Sequence, residues 1–152
     1  MTPSETYDTL VRQQEGCVLH PYLDKKGVPT IGIGTTIYPT GKSVTMADPA
    51  ITMEQAEEYL NYGSAGAEHA VNAFVKSEIN QNQFDALCDF VYNVGPPHFI
   101  TSTLLRLINA NPADPNITAA FLMWDKITVD GQLQVLDDLV NRRKAEAALY
   151  FS

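Results

Sequence analysis

Tryptophan occurs once in this chain of 152 residues, cysteine twice and histidine three times. Two thiols, Cys17 and Cys88, are too few and too far apart for a disulfide framework. Both are expected to be reduced, small, buried side chains. His20, His69 and His98 are scattered without ligand spacing, so no metal site and no cofactor are expected. No apolar stretch approaches the roughly 18 residues that span a bilayer, which excludes a transmembrane helix and argues against stable membrane association. The first residues, MTPSETYDTLVRQQEG, have neither a basic flank nor an apolar core, so no secretion signal is recognisable and accumulation in the cytoplasm is expected. Positive charge is scarce as well. Ten basic residues against 18 acidic ones leave a net charge of −8. That balance disfavours nucleic acid, whose affinity rests on neutralised phosphates, and gives no electrostatic pull toward an anionic cell surface.

What remains is the composition of a globular protein with 45% hydrophobic residues, long enough for one domain with a substantial core. Ser4 opens a helix that buries Tyr7, Leu10 and Val11 and stops at Gly16. Residues 18–45 change to short β-prone runs broken by KKG and PTGK, which predicts a small antiparallel sheet of two or three strands. Helical grammar then returns. Thr52 with Gln55, and Asn80 with Gln83, form capping boxes. The first opens one long or two abutting helices, with Gly63 and Gly66 as weak points. The second opens a helix with an apolar stripe of Phe84, Leu87, Cys88, Val91 and Tyr92. Ser102 caps a short helix, Asp114-Pro115 starts another, and Asp130-Gly131 turns a hairpin. A last helix runs from about Asp138, a candidate cap, to Tyr150. The fold class is therefore α+β and mostly helical: a β-containing lobe at about 15–50, a larger helical lobe at about 52–152 that includes the N-terminal helix, and a cleft between them within a single domain.

The segment EGCVLHPYLDKKGVPTIGIGT, residues 15–35, concentrates the chemistry. Glu15 and Asp24 lie in unlike settings, a helix end and a β segment, which is how two carboxyl groups come to act one as acid and one as base. Thr30 can hold a water. Taken alone, the pair is a weak signal and is read more simply as a solvated helix-end glutamate and a turn aspartate. The glycines have no phosphate-binding pattern around them and read as strand and turn geometry.

The spacing Glu15, eight residues, Asp24, five residues, Thr30, followed by IGIG, resembles the catalytic signature of the bacteriophage-type lysozymes, the muramidase endolysins of glycoside hydrolase family 24. FVYNVG at 90–95, FITSTLLRLIN at 99–109 and LVNRRKAEAALY at 139–150 resemble that family's later helices, in the same order. The resemblance implies a lysozyme-like two-lobed fold. It implies that Glu15 is the general acid, Asp24 the base that directs a water to the anomeric carbon, and Thr30 the residue that positions this water. It further implies inversion, with carboxyl groups roughly 6.5–9.5 Å apart. Five residues are candidates for substrate binding: Tyr92 and Asn93 fall where relatives line the cleft, Ser102 and Thr103 carry hydroxyls that can hydrogen-bond a saccharide, and Arg142 matches a family arginine that can pair with the acidic glutamate. Core packing explains Tyr92 as well, helix capping explains Ser102, and Trp124 is expected to pack the helical lobe. Three departures stand out: Thr35 where many relatives have histidine, Pro96-Pro97 in place of a glycine-rich turn, and Asp138 in place of a glycine.

The implied activity is hydrolysis of the β-1,4 bond between N-acetylmuramic acid and N-acetylglucosamine in peptidoglycan, for lysis of a bacterial host. The implied partners are glycan strands and, without direct contact, a holin-type pore that lets a monomer out of the cytoplasm. An antibacterial effector with the same chemistry, or a non-catalytic binding module, are the alternatives. Intact Glu15, Asp24 and Thr30 weigh against the module.

Overall fold

A computed structural model describes residues 1–152. The chain forms α1 (Glu5–Glu15), β1 (Val18–Leu23), β2 (Pro29–Gly32), α2 (Met53–Phe74), α3 (Gln81–Val94), α4 (Pro96–Ile100), α5 (Thr103–Ala110), α6 (Ile117–Leu122), β3 (Lys126–Val129), β4 (Gln132–Val135) and α7 (Asp137–Tyr150). It divides into two compact units, Leu10–Ala65 and the pair of segments Met1–Thr9 and Gly66–Ser152. Both boundaries fall inside helices, α1 and α2.

The smaller unit carries the sheet. Strands β1 and β2 are antiparallel, with Tyr22 opposite Thr30, Leu23 opposite Pro29 and a register shift between Val18 and Tyr22. The third strand foreseen near KSVT is reduced to a single bridge between Ile37 and Ser43. In its place, Asp48 organises the loop: it accepts from the Thr45 amide (2.9 Å), the Thr45 hydroxyl (2.7 Å) and the Tyr38 hydroxyl (2.7 Å). The Tyr38 ring meets Tyr59 of α2 edge-on, with centroids 5.4 Å apart. Helix α2 begins with the expected reciprocal box, Thr52 N–H to Gln55 Oε1 and Gln55 N–H to Thr52 Oγ1. It runs unbroken through Gly63 and Gly66.

The larger unit is helical. Asn80 and Gln83 form the second box at the start of α3, which buries Phe84, Leu87, Cys88 and Val91 and leaves Tyr92 half-buried. Phe90 stands at the centre of an aromatic cluster with Phe99, Phe121 and Trp124, and the Arg143 guanidinium lies 5.0 Å from its ring centroid. Strands β3 and β4 pair around Asp130-Gly131, both at positive φ as a tight two-residue turn requires.

Several boundaries differ from the sequence expectation. Asp114 does not start α6: its Oδ1 accepts from the Asn116 amide, an Asx turn that delays the helix to Ile117. Asp138 is not the cap of α7. Leu136 occupies that position because its N–H closes the hairpin onto the Asp125 carbonyl, so the helix follows at once with Asp137 and Asp138 in its first turn. The same two acids suit the positive helix end. Pro96 and Pro97 open the short helix α4 after Gly95 at φ +88°, where a proline at the first helical position loses no hydrogen bond. Cys88 is buried, but Cys17 is exposed: it follows Gly16, beyond the buried stripe of α1, and its sulfur lies 3.7 Å from that of Met53.

Candidate active site

Glu15 is the last residue of α1. Gly16 ends the helix in the left-handed region (φ +64°), its N–H bonded to the Arg12 carbonyl, and this leaves the Glu15 side chain half-buried. The carboxyl group rests against Gly34. A Cβ on Gly34 would fall 2.6 Å from Glu15 Oε2 and 2.7 Å from Cδ, so the space a side chain would take is filled by the glutamate. Gly34 is held there by a tight hairpin, in which Ile31 and Thr35 exchange both backbone hydrogen bonds (2.9 and 3.0 Å) around Gly32 and Gly34 at positive φ. Gly32 has its own constraint, since a Cβ would meet Ala56 and Ile51 at 3.3 Å.

Asp24 sits where β1 turns toward β2. Its Oδ1 accepts from the amides of Lys26 and Val28, each at 2.8 Å, while its backbone pairs with Val28 and Gly27. This double Asx contact fixes the carboxylate plane and leaves Oδ2 without a protein partner. Thr30 is buried on β2 and donates its hydroxyl proton to the Val28 carbonyl at 2.9 Å. With that proton engaged, Oγ1 is restricted to accepting. Glu15, Asp24 and Thr30 thus belong to one unit and are set by one helix end, one turn and one hairpin. Thr35 closes that hairpin, and its own Oγ1 is buried without a protein hydrogen-bond partner.

The remaining predicted residues belong to the helical unit. Ser102 caps α5: its Oγ donates to the Phe99 carbonyl (2.7 Å) and accepts from the Leu105 amide (3.0 Å), so the hydroxyl is spent on the helix. Tyr92, Asn93 and Thr103 are half-buried. Arg142 is buried and forms a two-pronged contact with Asp89, Nε to Oδ2 at 3.0 Å and Nη2 to Oδ1 at 2.9 Å. Glu146 lies 3.6 Å from Arg142 Nε and 2.5 Å from Arg143 Nη2. Burial pushes the Glu146 carboxyl well above the ordinary carboxylate range, against the opposing pull of Arg143. Burial likewise lowers the Arg143 guanidinium.

Two further groups escaped the sequence reading. Gly34 was legible only as turn geometry. Tyr22 lies opposite Thr30, and its hydroxyl is pushed above the ordinary phenol range, first by burial and then by the charges of Glu15 and Asp24. No spacing rule marks a tyrosine in a strand as a site residue; the alternation that puts residues 22 and 24 on one side of an extended chain was the available signal.

Residues 12–146 match the phage lysozyme family. The chain belongs to that family. As a phage lysozyme it is a glycoside hydrolase with a lysozyme-like α+β fold. It is 38% identical to the endolysin of Salmonella phage P22 over 144 residues, covering 95% of this chain and 94% of that protein. It is 36% identical to the endolysin of Acyrthosiphon pisum secondary endosymbiont phage 1 over 149 residues, 98% and 97% of the two chains. Among solved structures, the endolysin from Escherichia coli O157:H7 phage FAHEc1 superposes with a TM-score of 0.89 at 37% identity, covering 100% of this phage lysozyme and 94% of that one. Those relatives make it a peptidoglycan-hydrolysing lysozyme of host lysis.

Proposed function

We propose that this phage lysozyme cleaves the β-1,4 bond between N-acetylmuramic acid and N-acetylglucosamine by single displacement, with Glu15 as acid and Asp24 as base. Glu15 gives its proton to the glycosidic oxygen as the bond to the anomeric carbon breaks. A water attacks the opposite face of that carbon and passes a proton to Asp24, so the product is a hemiacetal of inverted configuration. The water needs two acceptors to aim its lone pair at the sugar. Asp24 Oδ2 and the Thr30 Oγ1 lone pair supply them, because Asp24 Oδ1 is taken by backbone amides and the Thr30 proton by Val28. That division of Asp24 and Thr30 between backbone and solvent is the observation that carries the reading. Tyr92, Asn93 and Thr103 are proposed to meet the glycan, and Ser102 to support them through the helix it caps; Arg142, expected among them, is buried with its guanidinium on Asp89 and is left out of the contact set.

Mass spectrometry of digested peptidoglycan tests the bond. Fragments ending in reducing N-acetylmuramic acid are expected; reducing N-acetylglucosamine ends or free stem peptides would overturn the assignment. Proton NMR of fresh product is expected to show the α anomer first, and the β anomer first would refute inversion.

No helix is long and apolar enough to cross a membrane. Release of the monomer from the host cytoplasm is proposed to pass through a holin-type pore, as the family resemblance implies. Expression of this chain alone is expected to leave the host intact, and prompt lysis without a pore protein would refute that route.

A further inference from the structure

Tyr22 is the unexplained group at the site. Residues directly opposite on an antiparallel pair point to the same face of the sheet, so Tyr22 and Thr30 share a face. Asp24, two residues further along an extended segment, continues on that side. The ring is half-buried, yet its hydroxyl has no hydrogen-bond partner in the protein. Tyr38 and Tyr150, by contrast, give their hydroxyl protons to Asp48 and to the Pro112 carbonyl. Burial is the first obstacle to ionisation of the Tyr22 hydroxyl, and the titratable groups around it, Glu15 from α1, Asp24 from the turn and the Cys17 thiol, oppose it further. The phenol is thereby kept as a neutral donor throughout the pH range in which two carboxyl groups can trade protons.

We propose that the Tyr22 hydroxyl is a substrate-contacting donor, giving a hydrogen bond to a sugar oxygen of the residue held between Glu15 and Asp24. This rests on the placement of the reaction at those two carboxyl groups. The chemistry suits the position. A glycan offers hydroxyl and acetamide oxygens as acceptors, and a donor that never titrates can hold one of them without competing in the acid–base steps. Half-burial of the ring fixes the direction of the hydroxyl, so little freedom is lost when substrate arrives.

The experiment compares wild type, Tyr22→Phe, Glu15→Gln and Asp24→Asn, with a soluble tetrasaccharide of alternating N-acetylglucosamine and N-acetylmuramic acid as substrate. Tyr22→Phe retains the ring and removes only the donor. It is expected to lower kcat/KM roughly two- to tenfold, the size of one hydrogen bond between neutral groups. In the Glu15→Gln background, the same substitution is expected to weaken tetrasaccharide binding, followed by NMR titration, by a similar factor. Both limbs of the pH profile and the urea midpoint are expected to stay in place. Unchanged affinity overturns the proposal, whether kcat/KM is unchanged or falls with a shifted pH limb or a lowered urea midpoint. If Glu15→Gln and Asp24→Asn retain turnover, the site itself is misplaced. If both abolish turnover while Tyr22→Phe binds and reacts like wild type, only the role of Tyr22 fails.

Discussion

Glu15 occupies the space that any side chain at Gly34 would claim, with Oε2 only 2.6 Å from where a Cβ would be. The obstructing atoms are the far end of a flexible side chain, so the backbone need not move. Gly34→Ala is therefore expected to cost only the strain of alanine at φ +74°, about 1–2 kcal/mol of stability. The carboxyl group, pushed aside by roughly an ångström, is expected to lose on the order of a hundredfold in activity. Urea unfolding and lytic rate, measured on the same preparation, separate the two effects. Equal proportional losses would contradict this account.

Thr35 offers the opposite case. Its hydroxyl is buried with no protein partner, and a buried polar group left unmatched costs about 1–3 kcal/mol. Thr35→Val keeps the shape and removes that group. A raised urea midpoint with unchanged lytic activity is expected, and a fall of more than about 1 kcal/mol would show that the hydroxyl is matched.

Asp89 and Arg142 form a buried pair in the helical unit. Removing Asp89 takes the two-pronged contact from a buried guanidinium and leaves it only the longer contact to Glu146 among those described, so Asp89→Ala is expected to lower stability by about 3 kcal/mol. The double change Asp89→Leu with Arg142→Met is expected to cost less than Asp89→Ala alone, because the two opposite charges leave together and apolar side chains fill their place. Denaturation of the three proteins at pH 7 decides the matter.

Tyr38 and Asp48 make the loop between β2 and α2 sensitive to pH at both extremes. Burial first, and then its hydrogen bond to Asp48, push the Tyr38 hydroxyl up from 10.0 to about 12. A raised phenol contributes stability that is complete below pH 10 and disappears as pH climbs through about 12. Hydrogen bonds from Thr45, then Tyr38, hold the Asp48 carboxyl below its usual 3.8. That contribution is present above pH 3.8 and is lost as pH falls through the lowered value. NMR titration of labelled tyrosine is expected to place Tyr38 near 12 in wild type and lower, though still above 10, in Asp48→Asn. A return fully to 10 would assign the whole shift to the hydrogen bond.

Much of this arrangement was legible in the sequence because local rules govern it. Both capping boxes, the Gly16 stop and the Asp130-Gly131 hairpin follow from side chains bonding their own neighbourhood, and all of them form. The boundaries that moved, at Asp114 and Asp138, are places where two local signals compete and an Asx turn or a closing hairpin takes precedence. Asp89, Arg143 and Glu146 were not singled out, although an aspartate inside the apolar stripe of α3 and an RR-x-x-E pattern on α7 were visible; burial of charge depends on a partner distant in sequence. Gly34 and Tyr22 were missed for the same reason. Their significance lies in what stands against them in space, not in their own spacing.

Glu15 and Asp24 are proposed to carry the reaction. Turbidity loss of outer-membrane-permeabilised Gram-negative cells, followed with wild type, Glu15→Gln and Asp24→Asn at equal concentrations of folded protein, tests it most directly. Rapid clearing by wild type and a loss of at least roughly a hundredfold in each variant is expected, since each removes a proton transfer worth about that much. Clearing by all three proteins at the same rate would contradict the assignment.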